Sequence, residues 1–231
     1  MEAAAPLRSK LAAEAAGTAF LVATVVGSGI MAERLAAGNE ALALLCNALA
    51  TGAVLVAIIL ALSGVSGAHF NPAVTLFELA GRRTGPREAA LYIPVQIAGG
   101  CAGAIVANLM FALPAVMVSQ KIRSGMPLLF SELVATLGLL IIIRGTSRHH
   151  AGMVPVAVGL YITAAYWFTA STSFANPAVT IARTLSDTFA GIRPLDAPGF
   201  VAAELAGAAA ALGLCGIIWP EGPSQGTSRT S

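Results

Sequence analysis

Long apolar runs broken by short polar segments set the pattern of this 231-residue chain. The runs are Ala12–Met31, Ala41–Leu62, Ala89–Leu113, Leu128–Ile143, Met153–Ala170 and Val201–Trp219. A helix rises about 1.5 Å per residue, so roughly 20 apolar residues cross the hydrocarbon layer of a bilayer. The pattern therefore predicts six spanning helices in an all-α membrane protein. Arg8 and Lys10 ahead of the first run resemble the start of a signal peptide. The run is too long for a signal core, carries Glu14 and has a counterpart later in the chain, so it is read as part of the mature protein.

Composition narrows the class. The chain is 57% hydrophobic and only 10% charged, with a mean hydropathy of +0.81, whereas a soluble domain carries about 25% charged residues. Thirteen Lys and Arg against eleven Asp and Glu give no basic surface for nucleic acid. Cys46, Cys101 and Cys215 form no C-x-x-C pair and the histidines are not clustered, so no metal site and no cofactor are expected. No H-E-x-x-H and no G-x-S-x-G occurs, which argues against an intramembrane enzyme. Membrane lipids are the surroundings this surface requires. The basic residues favour a cytoplasmic N-terminus, with the loops Gly81–Glu88 and Arg144–His150 also inside. The expected location is the inner (plasma) membrane, multi-pass, with both termini cytoplasmic and residues 220–231 as a disordered tail.

Asn-Pro-Ala-Val-Thr occurs twice, at Asn71–Thr75 and Asn176–Thr180. Weaker echoes flank it: Glu14-x-x-Gly17-Thr18 matches Glu132-x-x-Ala135-Thr136, and Tyr92-x-x-x-Gln96-x-x-Gly99 matches Phe200-x-x-x-Glu204-x-x-Gly207. The chain reads as one channel-sized domain, residues 1–231, made of two related halves, 11–113 and 128–219. Each half holds three spans, an odd number, so the second enters the membrane inverted with respect to the first.

Asn is a strong N-cap and Pro suits the first helical turn, so each motif reads as a helix start, at Pro72 and at Pro177. The apolar stretch that follows, to Gly81 and to about Leu185, crosses only half the membrane. The two half-helices would meet at mid-depth. Irregular backbone there must be protein-buried or line a water-filled cavity, which implies a pore. Asn71 and Asn176 would offer donors to whatever passes, and carbonyls around Gly67, Ala68 and His69 and around Phe174 and Ala175 would offer acceptors. Opposed positive helix ends disfavour cations at the centre.

Glu14 and Glu132 are intramembrane carboxylates, which suggest either a proton relay or a structural role. Their paired places in the repeat favour holding the carbonyls of the re-entrant loops. Glu204 stands where the first half has Gln96 and could titrate. Gly99, Gly103, Gly207 and Ala211 have the small-residue spacing of close helix crossings. His69 either exposes its carbonyl to the pore or packs in its loop.

The two motifs, Ser66-Gly67-Ala68-His69-Phe70 and Glu14-Ala15-Ala16-Gly17-Thr18 resemble the aquaporin/aquaglyceroporin (major intrinsic protein) family. The resemblance covers roughly Leu11 to Trp219. It implies an hourglass fold of six helices plus two half-helices, a homotetramer with a pore in each subunit, and passive flow of water or small neutral solutes. By the family's spacing the narrowest point would comprise Thr51, Tyr166, Ser173 and Val179. Most members carry Arg at the Val179 position and an aromatic residue at the Thr51 position, so a wider, less polar opening is expected. The stretch NPAVTIAR resembles a bacterial subgroup linked to arsenic resistance. This implies neutral metalloid acids such as arsenite or methylated arsenicals, with glycerol-like solutes and water also in view. Arg183, four residues beyond Val179, falls on the same face one turn outward and is placed in the outer vestibule as a hypothesis. A secondary transporter coupled to protons through Glu14 and Glu204 is the alternative, since transporters also use inverted repeats.

Overall fold

The computed structural model describes residues 5–220; the sequence-based expectation of a disordered tail falls almost wholly outside them. Eight helices occur among these residues: α1 (Leu7–Leu35), α2 (Glu40–Ser66), α3 (Pro72–Ala80), α4 (Pro86–Met110), α5 (Met126–His149), α6 (Val154–Phe168), α7 (Pro177–Ala182) and α8 (Ala197–Ile218). A 3-10 turn, Ala151–Met153, leads into α6, and another, Arg183–Leu185, prolongs α7. Six helices are long and apolar enough to span a membrane, α6 together with its leading turn, and α3 and α7 are the two half-length segments.

Local chemistry explains the starts and stops. Proline stands at the first or second position of α3 to α8, where its missing N–H would have no helical partner anyway. Asn39 caps α2 by accepting from Leu42 N at 3.0 Å, and α2 ends at Gly67, whose φ of 87° suits glycine. The spanning helices overrun most of the apolar stretches read from the sequence. Thus α1 begins at Leu7 and continues to Leu35, because Arg8, Lys10, Glu33 and Arg34 are tolerated where the helix ends reach polar surroundings.

The pseudo-symmetry of the sequence is also one of packing. In the first half α1 lies so close to α4 that a Cβ on Gly99 or Gly103 would run into the carbonyls of Ala15 and Ala19. In the second half, Gly207 of α8 meets Leu133 of α5 in the same way. The halves join where α2 crosses α6 at Gly52 and Gly159, each backing onto the other's carbonyl. Small residues permit this approach, and the gain is dispersion contact between helices. Large apolar side chains such as Leu35, Leu160 and Ile217 face outward, as a lipid-facing surface requires.

Residues 111–125, between α4 and α5, run alongside the chain from 184 to 196. Met117 N donates to Leu185 O at 3.0 Å, Ser119 N to Thr184 O at 2.9 Å, and Arg193 N to Lys121 O at 2.8 Å. This pairing brings the basic residues of the long loop to the end of α7.

Candidate functional site

α3 and α7 meet through their caps. Asn71 Oδ1 accepts from Ala73 N at 2.8 Å, while its amide Nδ2 crosses to Ala175 O at 2.7 Å. Asn176 Oδ1 accepts from Ala178 N and Val179 N at 3.0 and 3.3 Å, and its Nδ2 crosses to Phe70 O at 2.9 Å. An amide nitrogen has two hydrogens, so each Asn keeps one N–H for another acceptor. Both line the same cavity.

The approaches to the two caps bend alike. Gly67, Ala68 and Phe70 have positive φ, and so do Thr172, Ser173 and Ala175 at the equivalent places. Such conformations are costly for non-glycine residues and persist only when the surroundings fix them. Glu14 supplies that in the first half: Oε1 accepts from Ser66 Oγ at 2.6 Å and His69 N at 3.0 Å, and Oε2 from Phe70 N at 2.7 Å and Gln96 Nε2 at 2.8 Å. Glu132 does so in the second, accepting from Phe174 N at 2.9 Å and Ala175 N at 2.7 Å. Glu14 and Glu132 hold the loops by their N–H groups, not by the carbonyls the sequence reading named, because carboxyl oxygens accept from N–H donors. With their N–H groups turned away, the carbonyls of Gly67, Ala68, His69 and Phe174 accept no hydrogen bond from the described residues, and those residues line the cavity.

The cavity has a volume of about 720 Å3 and is lined by Glu78, Arg83 and Glu88 at one end, by both Asn residues, and by the buried Arg183. Thr51, Tyr166, Ser173 and Val179 line it too. Thr51 Oγ1 and Tyr166 OH are 3.1 Å apart, so each hydroxyl already has a partner. Ser173 Oγ is buried with none. His69 Nδ1 sits 3.1 Å from Thr75 Oγ1, and its ring packs edge-on against Tyr92. His69 thus both lines the cavity and packs in its loop.

Arg183 is 2% exposed. Its Nε donates to Ala190 O, and its guanidinium lies 3.4 Å from the centre of the Phe174 ring. Arg123, which the sequence reading did not single out, approaches the same ring at 5.0 Å and donates from Nε to Gly191 O at 2.8 Å. Burial pushes the Arg123 guanidinium down to about 10, although Tyr166 and Glu132 oppose the shift. Lys121 Nζ donates to Phe189 O at 2.7 Å. Partial desolvation raises Asp196, but hydrogen bonds from Arg193 and from Arg123 N outweigh this and hold its carboxyl below the ordinary carboxylate value. No local motif announces Arg123, since its partners lie some 50 to 70 residues away in the chain.

No group of His, Cys, Asp and Glu fit to hold a metal occurs among the described residues. A family model described as "Major intrinsic protein" matches residues 3–173. The chain is 56% identical over 209 residues to "Aquaglyceroporin AqpS" of Rhizobium meliloti (strain 1021), covering 90% of this chain and 89% of that one. It is 34% identical to "Aquaporin A" of Dictyostelium discoideum, over 70% of this chain and 62% of that one. The fold matches the X-ray structure of the aquaglyceroporin from Plasmodium falciparum with a TM-score of 0.77 at 19% identity, over 93% of this chain and 98% of the other.

Proposed function

Because this chain belongs to the major intrinsic protein family, whose members are channels and not enzymes, we propose that it passively conducts small uncharged solutes. The observation that carries this reading is the cavity that runs past both Asn caps, with Thr51, Tyr166, Val179 and Arg183 also in its wall. Spare amide hydrogens and a row of unpaired carbonyls give a hydroxyl-bearing solute donors and acceptors to replace water as it passes. The resemblance of the aquaglyceroporins above suggests glycerol-like molecules, and the uncharged Val179 beside Thr51 supports solutes larger than water, including neutral metalloid acids such as arsenite and methylated arsenicals. The Arg183 mouth faces outward in this reading, both termini lie in the cytoplasm, and the outward apolar faces suit assembly as a homotetramer in the inner membrane.

Proton-coupled transport has less support. Glu14 and Glu132 use their oxygens on loop N–H groups, and neither they nor Glu204 line the cavity.

Stopped-flow swelling of proteoliposomes in water, glycerol, urea and arsenite tests the proposal. Glycerol and arsenite are expected to enter without a proton gradient and with a low activation energy. Val179→Arg is expected to slow both by more than tenfold, because a guanidinium fills the opening. Unchanged glycerol and arsenite flux in that variant would remove Thr51, Tyr166, Ser173 and Val179 as the filter.

A further inference from the structure

The two ends of the cavity differ in how their charge is balanced. At one, Glu78 pairs with Arg83 at 2.5 Å and Lys10 with Glu88 at 2.6 Å. At the other, three cations sit on three successive carbonyls: Lys121 on Phe189 O, Arg183 on Ala190 O and Arg123 on Gly191 O. None of the three makes an ion pair with a carboxylate among the described residues, and Asp196, the acid nearest to them in the hydrogen-bond network, is bound to Arg193 and to the backbone of Arg123.

Of the three, Arg183 lines the cavity. Its Nε and its ring stacking fix the plane of the guanidinium, while its two Nη groups have no hydrogen-bond partner among the described residues. Ser173, adjacent in the chain to the ring on which Arg183 stacks, is 3% exposed and its Oγ has no partner either. The Ser173 hydroxyl is a buried donor without an acceptor, which costs about 1–3 kcal/mol, and Ser173 and Arg183 are both in the wall of the same cavity.

We propose that the Nη groups of Arg183 and the hydroxyl of Ser173 form a binding site for a small, planar, monovalent oxyanion at the mouth of the pore. The fork of a guanidinium matches two oxygens of such an ion. The positive charge of Arg183 and its neighbours Arg123 and Lys121, none of them held in an ion pair among the described residues, favours an anion and repels cations, a barrier that Val179 does not supply. The effect on flux rests on the channel reading; binding itself does not.

Nitrate is the probe, since it stays ionised at every working pH. In detergent, the wild-type protein is expected to show a saturable rise in Tm with nitrate over chloride at equal ionic strength, as a ligand of the folded state must produce. In proteoliposomes, saturating nitrate should slow glycerol swelling by about twofold or more, as expected for an ion occupying the solute's path. Arg183→Gln should abolish both effects and Ser173→Ala should weaken nitrate severalfold. Lys121→Gln removes the same charge outside the cavity and should keep both. A wild-type protein whose Tm does not distinguish nitrate from chloride would overturn the site, whether or not Arg183→Gln folds. So would an Arg183→Gln protein that keeps the nitrate shift, or a Lys121→Gln protein that loses it equally. Absence of swelling with any solute would instead sink the channel reading and leave the Tm result to decide on the site.

Discussion

The two re-entrant segments begin with the same five residues, yet the structures built around them differ in what donates and what accepts. In the first half Gln96 Nε2 donates to Glu14 at 2.8 Å and to Thr75 Oγ1 at 3.0 Å. In the second, Glu204 takes that place: Oε1 accepts from Thr180 Oγ1 at 2.6 Å and from Asn176 N at 3.2 Å, and Oε2 is buried with no partner. Towards this residue the threonine hydroxyl accepts in the first half, where Thr75 gives its own hydrogen to Asn71 O, and donates in the second, because an amide nitrogen has been exchanged for a carboxyl oxygen. Side-chain volume shows similar compensation. The Phe70 ring fills the space above Gly17, while the equivalent places hold Ala175 and Ala135. Ring pairs match in position but not in chemistry: His69 on Tyr92 at 5.4 Å, Phe174 on Phe200 at 5.1 Å. Equally placed in the repeat, Glu78 and Arg183 carry opposite charge, but Glu78 is paired with Arg83. Duplicated geometry thus tolerates different residues so long as each N–H of the strained loops finds an acceptor.

Gln96→Glu tests that rule most severely. It would set a second acceptor against Glu14 and remove the donor to Thr75, at a cost on the order of 3 kcal/mol. A large fall in Tm and loss of solute flux are expected; a Tm equal to wild type would mean the amide is not needed. Next in size is Asn176→Ala against Asn71→Ala. A lost cap costs about 1 kcal/mol, and Asn176 caps two N–H groups where Asn71 caps one. The Asn176 variant should therefore melt lower and lose more flux, and the reverse order, read by Tm and swelling, would refute the asymmetry.

Glu204→Gln is expected to act in the opposite direction. It keeps an oxygen for Thr180 and Asn176 and puts an amide where Oε2 has no partner, so stability should rise by up to about 1 kcal/mol with flux unchanged. A loss of stability or of flux would show that the second half needs its carboxyl. The smallest effect concerns Asp196. Its pKa is lower in the folded protein, so its contribution is present above the unfolded value, about 3.9, and fades as pH falls through the folded one. Asp196→Asn should lower Tm slightly at neutral pH and flatten its decline in acid. An acid limb unchanged from wild type would count against that linkage.

Six spanning helices and two half-helices were legible in the sequence, because apolar length and the Asn-Pro start are local signals. The inverted repeat was legible too; Arg183, expected in the outer vestibule, is 2% exposed and lines the same cavity as Val179. Other features required the fold. That Glu14 grips N–H groups 55 residues away, that Thr51 meets Tyr166 across 115 residues, and that Arg123 joins Arg183 on the Phe174 ring follow from how the helices cross at Gly52, Gly99, Gly103 and Gly159. Periodicity and caps depend on neighbours along the chain, so the sequence alone determines them. Hydrogen-bond partners and charge balance depend on which carbonyl or ring arrives from a distant segment, and only packing decides that.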